Sequence, residues 1–188
     1  MSPQIIDELR DQFNQARGMV RLISFLSPTC GPCRYGQGVV RALFEEFPDA
    51  GLAGFIVWVP MLPGDNRQTA QFEQDAITDR RFRFWFDHDK AAADAWSSFI
   101  GLPTTTWDVY AVYDGVASWS EDIPPAPRIW MHQLNETPAT KGTDRLDPAR
   151  FAREWFAVIG GDTEQAAELG SKLHERGTAV SMRNGKSD

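Results

Sequence analysis

Two short apolar segments flank an amphipathic one in the first third of the chain, and this order strongly constrains the fold. Residues 19–26 are rich in apolar and β-branched side chains, and residues 54–62 are nearly all apolar, which is typical of strands buried on both faces of a sheet. Between them, Val39, Leu43 and Phe47 recur at helical spacing. Strand, helix and strand over this length predict a right-handed crossover that joins two parallel strands.

The remainder of the chain continues the same alternation of helices and strands. Apolar periodicity and capping residues predict helices at 3–17, 65–77, 89–100, 147–159 and 162–174, and short strands at 81–86, 107–113 and 128–134. From Arg176 onward the sequence is polar, and we expect a frayed tail. The pattern predicts one domain over residues 1–160 and a C-terminal helical extension with a polar tail over 161–188.

The charge balance and the N-terminus bear on partners and compartment. A formal net charge of −7 gives no electrostatic support for binding nucleic acid. The N-terminal sequence MSPQIIDELRDQF lacks the basic stretch and apolar run of a secretory signal. No apolar stretch reaches the roughly 18 residues that a membrane span needs. We therefore expect a cytoplasmic protein with neither nucleic acid nor membrane as a partner.

Cys30 and Cys33 are the only cysteines of the chain, and they lie where the first predicted strand meets the following helix. In a reducing compartment such a pair is catalytic or metal-binding rather than structural. At a helix N-terminus, free backbone N–H groups favour the thiolate of Cys30. Pro32 suits the first helical turn, and the spacing brings Cys33 near Cys30. The residues therefore predict a dithiol that forms a mixed disulfide on Cys30 and resolves it with Cys33.

The stretch Cys30-Gly31-Pro32-Cys33, after RLISFLSPT and before an amphipathic helix, resembles the active site of the thioredoxin superfamily. The resemblance covers about residues 3–159. It implies a three-layer α/β/α sandwich around a central mixed β-sheet, with solvent-exposed Cys30 as the nucleophile and Cys33 as the resolving thiol. It also implies that Gly31 and Pro32 shape the turn that meets a protein or small-molecule disulfide or thiol substrate. The segments WDVYAVY and PPAPRIWMHQL resemble an uncharacterised bacterial group of thioredoxin-like proteins. No phosphate-binding loop is present, and we expect no cofactor.

The segment GLPTTTWDVYAVYDG resembles the part of that family that holds a cis-proline opposite the cysteines. The resemblance places Pro103 at the proline position and Thr104 after it, and it implies that their backbone groups bind substrate. The alternative is that Pro103 only ends the preceding helical region. Both interpretations stay open at the level of sequence.

Two departures from the family pattern bear on function. Thr29 stands where the family usually has Trp, and Ser24 stands where thioredoxin has a buried Asp that assists proton transfer. Serine is not a base near neutral pH, so we expect proton transfer to be altered or absent. A second hypothesis is therefore a non-catalytic module that binds a soft metal ion or a partner protein through its two thiols. A third is an interaction protein whose cysteine pair is a relic.

Metal binding by other residues has weaker support. A structural zinc site needs about four ligands, and the chain offers one Cys pair without a closely spaced His pair, so we assign no metal ligands. His132, in a predicted strand, is interpreted as a half-buried structural residue rather than a ligand. Asp87 and Asp89, on either side of His88, are interpreted as caps of the helix that follows.

Overall fold

The structure, a computed structural model, describes residues 3–120, 123–135 and 145–182. The elements of this part of the chain are, in order, α1 (Pro3–Gln15), β1 (Val20–Leu26), α2 (Gly31–Glu46), β2 (Leu52–Trp58), α3 (Arg67–Asp75), β3 (Phe82–Phe86), α4 (Ala91–Ile100), β4 (Val109–Tyr113), β5 (Ile129–His132), α5 (Pro148–Ile159), a 3₁₀ turn (Thr163–Gln165) and α6 (Ala166–Met182). None of the helices described is long and apolar enough to cross a membrane.

The strands form one mixed sheet in the order β3-β2-β1-β4-β5. β1, β2 and β3 run parallel, so the predicted crossover through α2 is confirmed, and β3 lies at an edge as its alternating sequence indicates. β4 pairs antiparallel with β1, with Val109 opposite Phe25. This pairing places the start of β4 beside the end of β1, where the loop to α2 begins.

Helices cover both faces of the sheet, and each interface has its own apolar core. On one face, α2, α5 and α6 bury side chains such as Val40 and Leu173. On the other face, α1 and α4 bury Leu9, Phe13 and Trp96. The three-layer α/β/α arrangement with a central mixed sheet is therefore confirmed.

The C-terminal helix is longer than the sequence predicts. α6 runs to Met182, so the prediction of a frayed tail from Arg176 is wrong over this part; residues 183–188 lie outside the described residues. The reason is a close crossing of α6 over α2. A Cβ on Gly38 would lie 2.8 Å from the Cα of Gly177, so only small residues permit this contact. The division of the chain at residue 160 stays a prediction.

β4 begins two residues later than the predicted strand over 107–113. Asp108 has a φ of 54°, in the left-handed region, and this conformation interrupts the extended backbone before Val109. Asp is one of the few residues with a side chain that adopts this region readily. The turn at Asp108 therefore sets where β4 starts, directly beside the cysteine loop.

Candidate redox site

Cys30 is the residue that caps α2. Its backbone is extended (φ −79°, ψ 122°), Pro32 lies in the first turn of the helix, and the Cys30 Sγ accepts a hydrogen bond from the backbone N–H of Cys33 at 3.3 Å. Both cysteines are free thiols. The predicted position of the pair at the start of the helix is confirmed, and the two sulfurs lie within 4.8 Å of each other.

The pair is more deeply placed than the resemblance implies. Cys30 is 4% exposed and Cys33 is 1% exposed, so the prediction of a solvent-exposed Cys30 is wrong. The physical reason is that both side chains belong to the apolar core between α2 and the sheet. Gly31 and Pro32 are exposed at the tip of the loop. A substrate must therefore reach a recessed sulfur past these two residues.

The two thiols differ in acidity because their surroundings differ. The hydrogen bond from the Cys33 thiol lowers the pKa of Cys30, and the Cys33 backbone N–H acts in the same direction against the opposing effect of burial. Burial raises the pKa of Cys33 well above its ordinary value, and its hydrogen bond to Cys30 and the charge of Asp108 add to this. Cys30 is therefore the more acidic thiol of the pair and Cys33 the less acidic one.

A buried carboxyl, Asp108, lies beside both sulfurs. One of its carboxylate oxygens and the two Sγ atoms all lie within 4.8 Å of one another. Burial raises the pKa of Asp108, against hydrogen bonds from Tyr110, Gln133 and Cys33 that lower it. Within the described residues, these three side chains are the group of metal-ligand type that could hold an ion. Sequence reasoning missed Asp108, and the available signal was an acid directly before a strand.

Ser24 on β1 stands where the family pattern has an acid, and the acid beside the sulfurs, Asp108, lies directly before the neighbouring strand, β4. Ser24 is buried opposite Tyr110, and its hydroxyl has no hydrogen-bond partner. The family pattern predicts an acid on β1, whereas the antiparallel pairing of β4 with β1 brings in Asp108 from a distant segment. The expectation of an altered proton-transfer arrangement is consistent with this placement.

Tyr110 and Gln133 hold the carboxyl of Asp108. The Tyr110 hydroxyl donates to Asp108 Oδ1 at 2.7 Å, and Gln133 Nε2 donates to the same oxygen at 2.9 Å and to the Pro32 carbonyl at 2.7 Å. The Tyr110 hydroxyl occupies the space that a Cβ on residue 36 would fill. Gly36 in α2 is therefore the residue that lets Tyr110 reach Asp108.

A second carboxyl, Asp65, fixes the loop that leads to Cys30. Its Oδ1 accepts hydrogen bonds from the backbone N–H and the hydroxyl of Thr29, at 3.0 and 2.6 Å. Its Oδ2 accepts from the Ser27 hydroxyl at 2.6 Å and from the backbone N–H groups of Met61 and Leu62, both at 2.8 Å. Burial acts to raise the pKa of Asp65, but these hydrogen bonds outweigh it and lower the pKa. An ionised carboxylate therefore ties the cysteine loop to the loop after β2.

Ser27 contacts both Asp65 and a cysteine sulfur. Its backbone N–H donates to the Cys33 Sγ at 3.5 Å, while its hydroxyl is held by Asp65. Thr29 donates to Asp65 with both its backbone N–H and its side-chain hydroxyl. Sequence reasoning missed Asp65, which lies in a Gly-Asp-Asn turn without a motif of its own.

Pro103 and Thr104 are placed differently from the family pattern. No cis peptide bond occurs in the described residues, so Pro103 is not the cis-proline of that pattern. Both residues are exposed in the bend that follows α4, which ends at Gly101 with a φ of 74°. Asp108, rather than Pro103, directly precedes β4. The interpretation that Pro103 ends the helical region fits this geometry, and a substrate-binding role for Pro103 and Thr104 stays a prediction.

The remaining candidate residues, His132 and Asp87, are buried and hydrogen-bonded to backbone groups. His132 is fully buried rather than half-buried as predicted, and its Nδ1 accepts a hydrogen bond from the backbone N–H of Leu134 at 3.0 Å. Asp87 is buried, and its Oδ2 accepts from the backbone N–H of Ala93 in the first turn of α4 at 3.0 Å. The capping interpretation of Asp87 is therefore confirmed.

Comparison with known proteins supports the fold. No protein-family model and no curated protein matches the chain, so the predicted bacterial subgroup stays a prediction. A solved thioredoxin-like protein in its oxidised form is 19% identical, with a TM-score of 0.52 over 81% of this chain and 85% of that one. A hypothetical protein from Sinorhizobium meliloti 1021 is 16% identical, with a TM-score of 0.50 over 79% and 74% of the two chains. With the sheet order and the helices on both faces, these likenesses identify a thioredoxin-like α/β fold.

Proposed function

We propose that this protein is a thiol–disulfide oxidoreductase that uses Cys30 as the nucleophile and Cys33 as the resolving thiol. The observation that carries the proposal is the pairing of the two sulfurs at the start of α2, within 4.8 Å of each other. The lowered pKa of Cys30 and the raised pKa of Cys33 support the same assignment of roles. Only a thiolate attacks a disulfide at a useful rate.

In the first step, the Cys30 thiolate attacks one sulfur of a substrate disulfide. The substrate S–S bond breaks, a mixed disulfide forms on Cys30, and the other substrate sulfur leaves as a thiolate that takes a proton from water. The backbone N–H of Cys33 contacts the Cys30 Sγ and stabilises the negative charge before attack. This contact favours attack by Cys30 over attack by Cys33.

In the second step, Cys33 loses its proton and attacks the Cys30 Sγ. A Cys30–Cys33 disulfide forms, and the second substrate sulfur leaves and takes a proton. The substrate thus gains two electrons and two protons, which a thiol reductant must return to the enzyme. Asp108 contacts the Cys33 thiol. We propose that its carboxylate accepts the Cys33 proton, a role that the family pattern gives to an acid at the position of Ser24.

The substrate class follows from how the site is covered. Because Cys30 is 4% exposed, a substrate disulfide must enter past the exposed loop at Gly31 and Pro32. A small disulfide or a narrow, extended protein segment meets this requirement better than a disulfide inside a rigid fold. Pro103 and Thr104 are proposed to contact the same substrate from the segment before β4.

The test uses two cysteine variants and a model disulfide with a chemical reductant. Cys30→Ser should lose disulfide reduction down to the uncatalysed rate, because no nucleophile remains. Cys33→Ser should stop after the first step and accumulate a mixed disulfide on Cys30, detected by intact-protein mass. If Cys30→Ser keeps its activity, or if the adduct on Cys33→Ser maps elsewhere, the assigned roles are wrong.

A further inference from the structure

The cysteine pair has a third potential ligand that the sequence pattern does not reveal. The Sγ atoms of Cys30 and Cys33 and a carboxylate oxygen of Asp108 lie within 4.8 Å of one another, and all three residues are buried. The sulfurs meet because α2 begins between them. The oxygen joins them because β4 starts beside the end of β1. Three donor atoms from two distant segments therefore converge on one point.

We propose that the reduced protein binds one Zn²⁺ ion through Cys30, Cys33 and Asp108, with the fourth position taken by water. Zinc accepts thiolate and carboxylate ligands together, at about 2.3 Å from sulfur and about 2.0–2.2 Å from oxygen. A tetrahedral ion with these bonds holds its two sulfurs about 3.8 Å apart, which is within the separation that the structure allows.

The chemistry of the three donors selects the ion. Two thiolates alone suit a soft monovalent ion such as Cu⁺, whereas the hard cations Mg²⁺ and Ca²⁺ require oxygen ligands. The carboxylate of Asp108 beside the two sulfurs makes a mixed set, and zinc, a borderline ion, matches it. The third donor therefore changes the preferred ion from a soft monovalent one to Zn²⁺.

Neighbouring groups already hold each donor atom, as the outer shell of a metal site does. The backbone N–H of Cys33 contacts the Cys30 Sγ at 3.3 Å, and that of Ser27 contacts the Cys33 Sγ at 3.5 Å. Tyr110 and Gln133 donate to Asp108 Oδ1 at 2.7 and 2.9 Å. These contacts orient the ligands and reduce the rearrangement that binding requires.

Zinc binding uses the same sulfur lone pairs as disulfide chemistry. Binding displaces a proton from each thiol into solvent and transfers no electron. The ion therefore protects the dithiol while it is bound, and the Cys30–Cys33 disulfide form loses the two thiolate ligands and releases it. This inference uses the cysteines of the proposed redox site but does not require that they turn over.

The test is a zinc titration of the full chain, reduced, stripped of metal and kept free of oxygen, against a chromophoric zinc chelator. We expect one Zn²⁺ per chain for the reduced protein and none for the oxidised protein. Asp108→Asn should weaken zinc binding at least about tenfold, while Asp49→Asn, at an exposed position of similar chemistry, should bind as the wild type does. Absence of stoichiometric zinc, or equal affinity in Asp108→Asn, would overturn the site.

X-ray absorption at the zinc edge gives a test on the unmutated protein, which holds even if Asp108→Asn does not fold. Two sulfur and two oxygen neighbours support the site. Four sulfur neighbours, as expected for an ion shared between two chains, contradict it. A disulfide reduction assay on the metal-free protein separates the two proposals. Zinc binding without reduction leaves this inference standing and removes the proposed function, and reduction without zinc binding does the reverse.

Discussion

Two carboxyls near the cysteine loop, Asp65 and Asp108, lie in contrasting surroundings. Asp65 is only partly buried, and five hydrogen bonds from the two loops beside it reach its oxygens. Asp108 is 2% exposed, and its Oδ1 accepts hydrogen bonds from both Tyr110 and Gln133. The pKa of Asp65 is lowered and that of Asp108 is raised.

The difference shows that burial alone does not set the charge of a carboxyl at this site. Burial acts to raise the pKa of both groups. Hydrogen bonds outweigh it at Asp65, which is less buried and has five donors, whereas burial prevails at Asp108, which is more deeply buried and has fewer donors. Asp65 is an ionised tie that holds the loop before Cys30. Asp108 is a carboxyl whose charge is costly, which suits a group that exchanges a proton with a thiol or binds a cation.

The largest expected effect is on stability, from loss of the Asp65 tie. Asp65→Ala leaves the donors of two loops without their acceptor and should lower the free energy of unfolding by about 2–3 kcal/mol at pH 7. Because the folded pKa of Asp65 lies below its unfolded value, its contribution is present above about pH 3.9 and is lost as pH falls through the folded pKa. Urea unfolding at neutral and acid pH measures both.

The matched control is Asp49→Ala, at an exposed turn position, which should change stability by no more than about 0.5 kcal/mol. The stabilising role of the ionised Asp65 carboxylate would be refuted if Asp65→Ala and the wild type unfold at the same urea concentration at pH 7. It would also be refuted if the difference between them grows as the pH falls.

The next effect concerns the support of Asp108. Gly36→Ala places a Cβ where the Tyr110 hydroxyl lies, and the displaced ring should cost about 1–3 kcal/mol. Gly31→Ala, in the same helix, meets open space and should be neutral or stabilising by up to about 1 kcal/mol, since Ala is the better helix former. Thermal unfolding of the two variants makes the comparison. Equal stability of both variants would mean that Tyr110 does not depend on Gly36.

The smallest effect is a shift in the pH at which Cys30 reacts. In the metal-free reduced protein, alkylation of Cys30 should rise with pH through a midpoint below the roughly 8.5 of a free thiol, because the Cys33 thiol lowers the pKa of Cys30. The charges of Asp108 and, less strongly, Asp65 oppose this. Asp108→Asn should therefore move the midpoint further down, and Asp65→Asn should move it down by less.

Mass spectrometry of the alkylated peptide over a pH series measures these midpoints. A wild-type midpoint above that of a free thiol would contradict the assignment of Cys30 as the thiolate. An upward shift in Asp108→Asn would show that the carboxyl acts on Cys30 mainly through something other than its charge.

Much of the fold could be predicted because its signals are local. The apolar runs of β1 and β2 and the amphipathic α2 between them predict the parallel crossover, and it is present. The C-terminal helix was predicted too short, because its outer face is polar and its contact with α2 depends on Gly38 and Gly177. Glycine residues that meet across two helices leave no apolar periodicity to detect.

The site was predictable only in part for the same reason. The spacing of Cys30 and Cys33 and their place before a helix identify them as a candidate site. Asp65 and Asp108 are single acids in loops, and no sequence motif marks them. Their relation to the sulfurs arises from pairing and packing between segments far apart in the chain. The family pattern has an acid at the position of Ser24 and a cis-proline at the position of Pro103. Position 24 is a serine, and the peptide bond before Pro103 is not cis.

The sequence alone determined that two sulfurs meet at the start of a helix, because residues three apart in a helical turn are brought together by backbone geometry. Only the tertiary structure decided how deeply Cys30 lies and which charges surround it. Those properties depend on where β4 and the loop after β2 pack against β1. Such long-range contacts are fixed by the whole core rather than by any stretch of sequence near the cysteines.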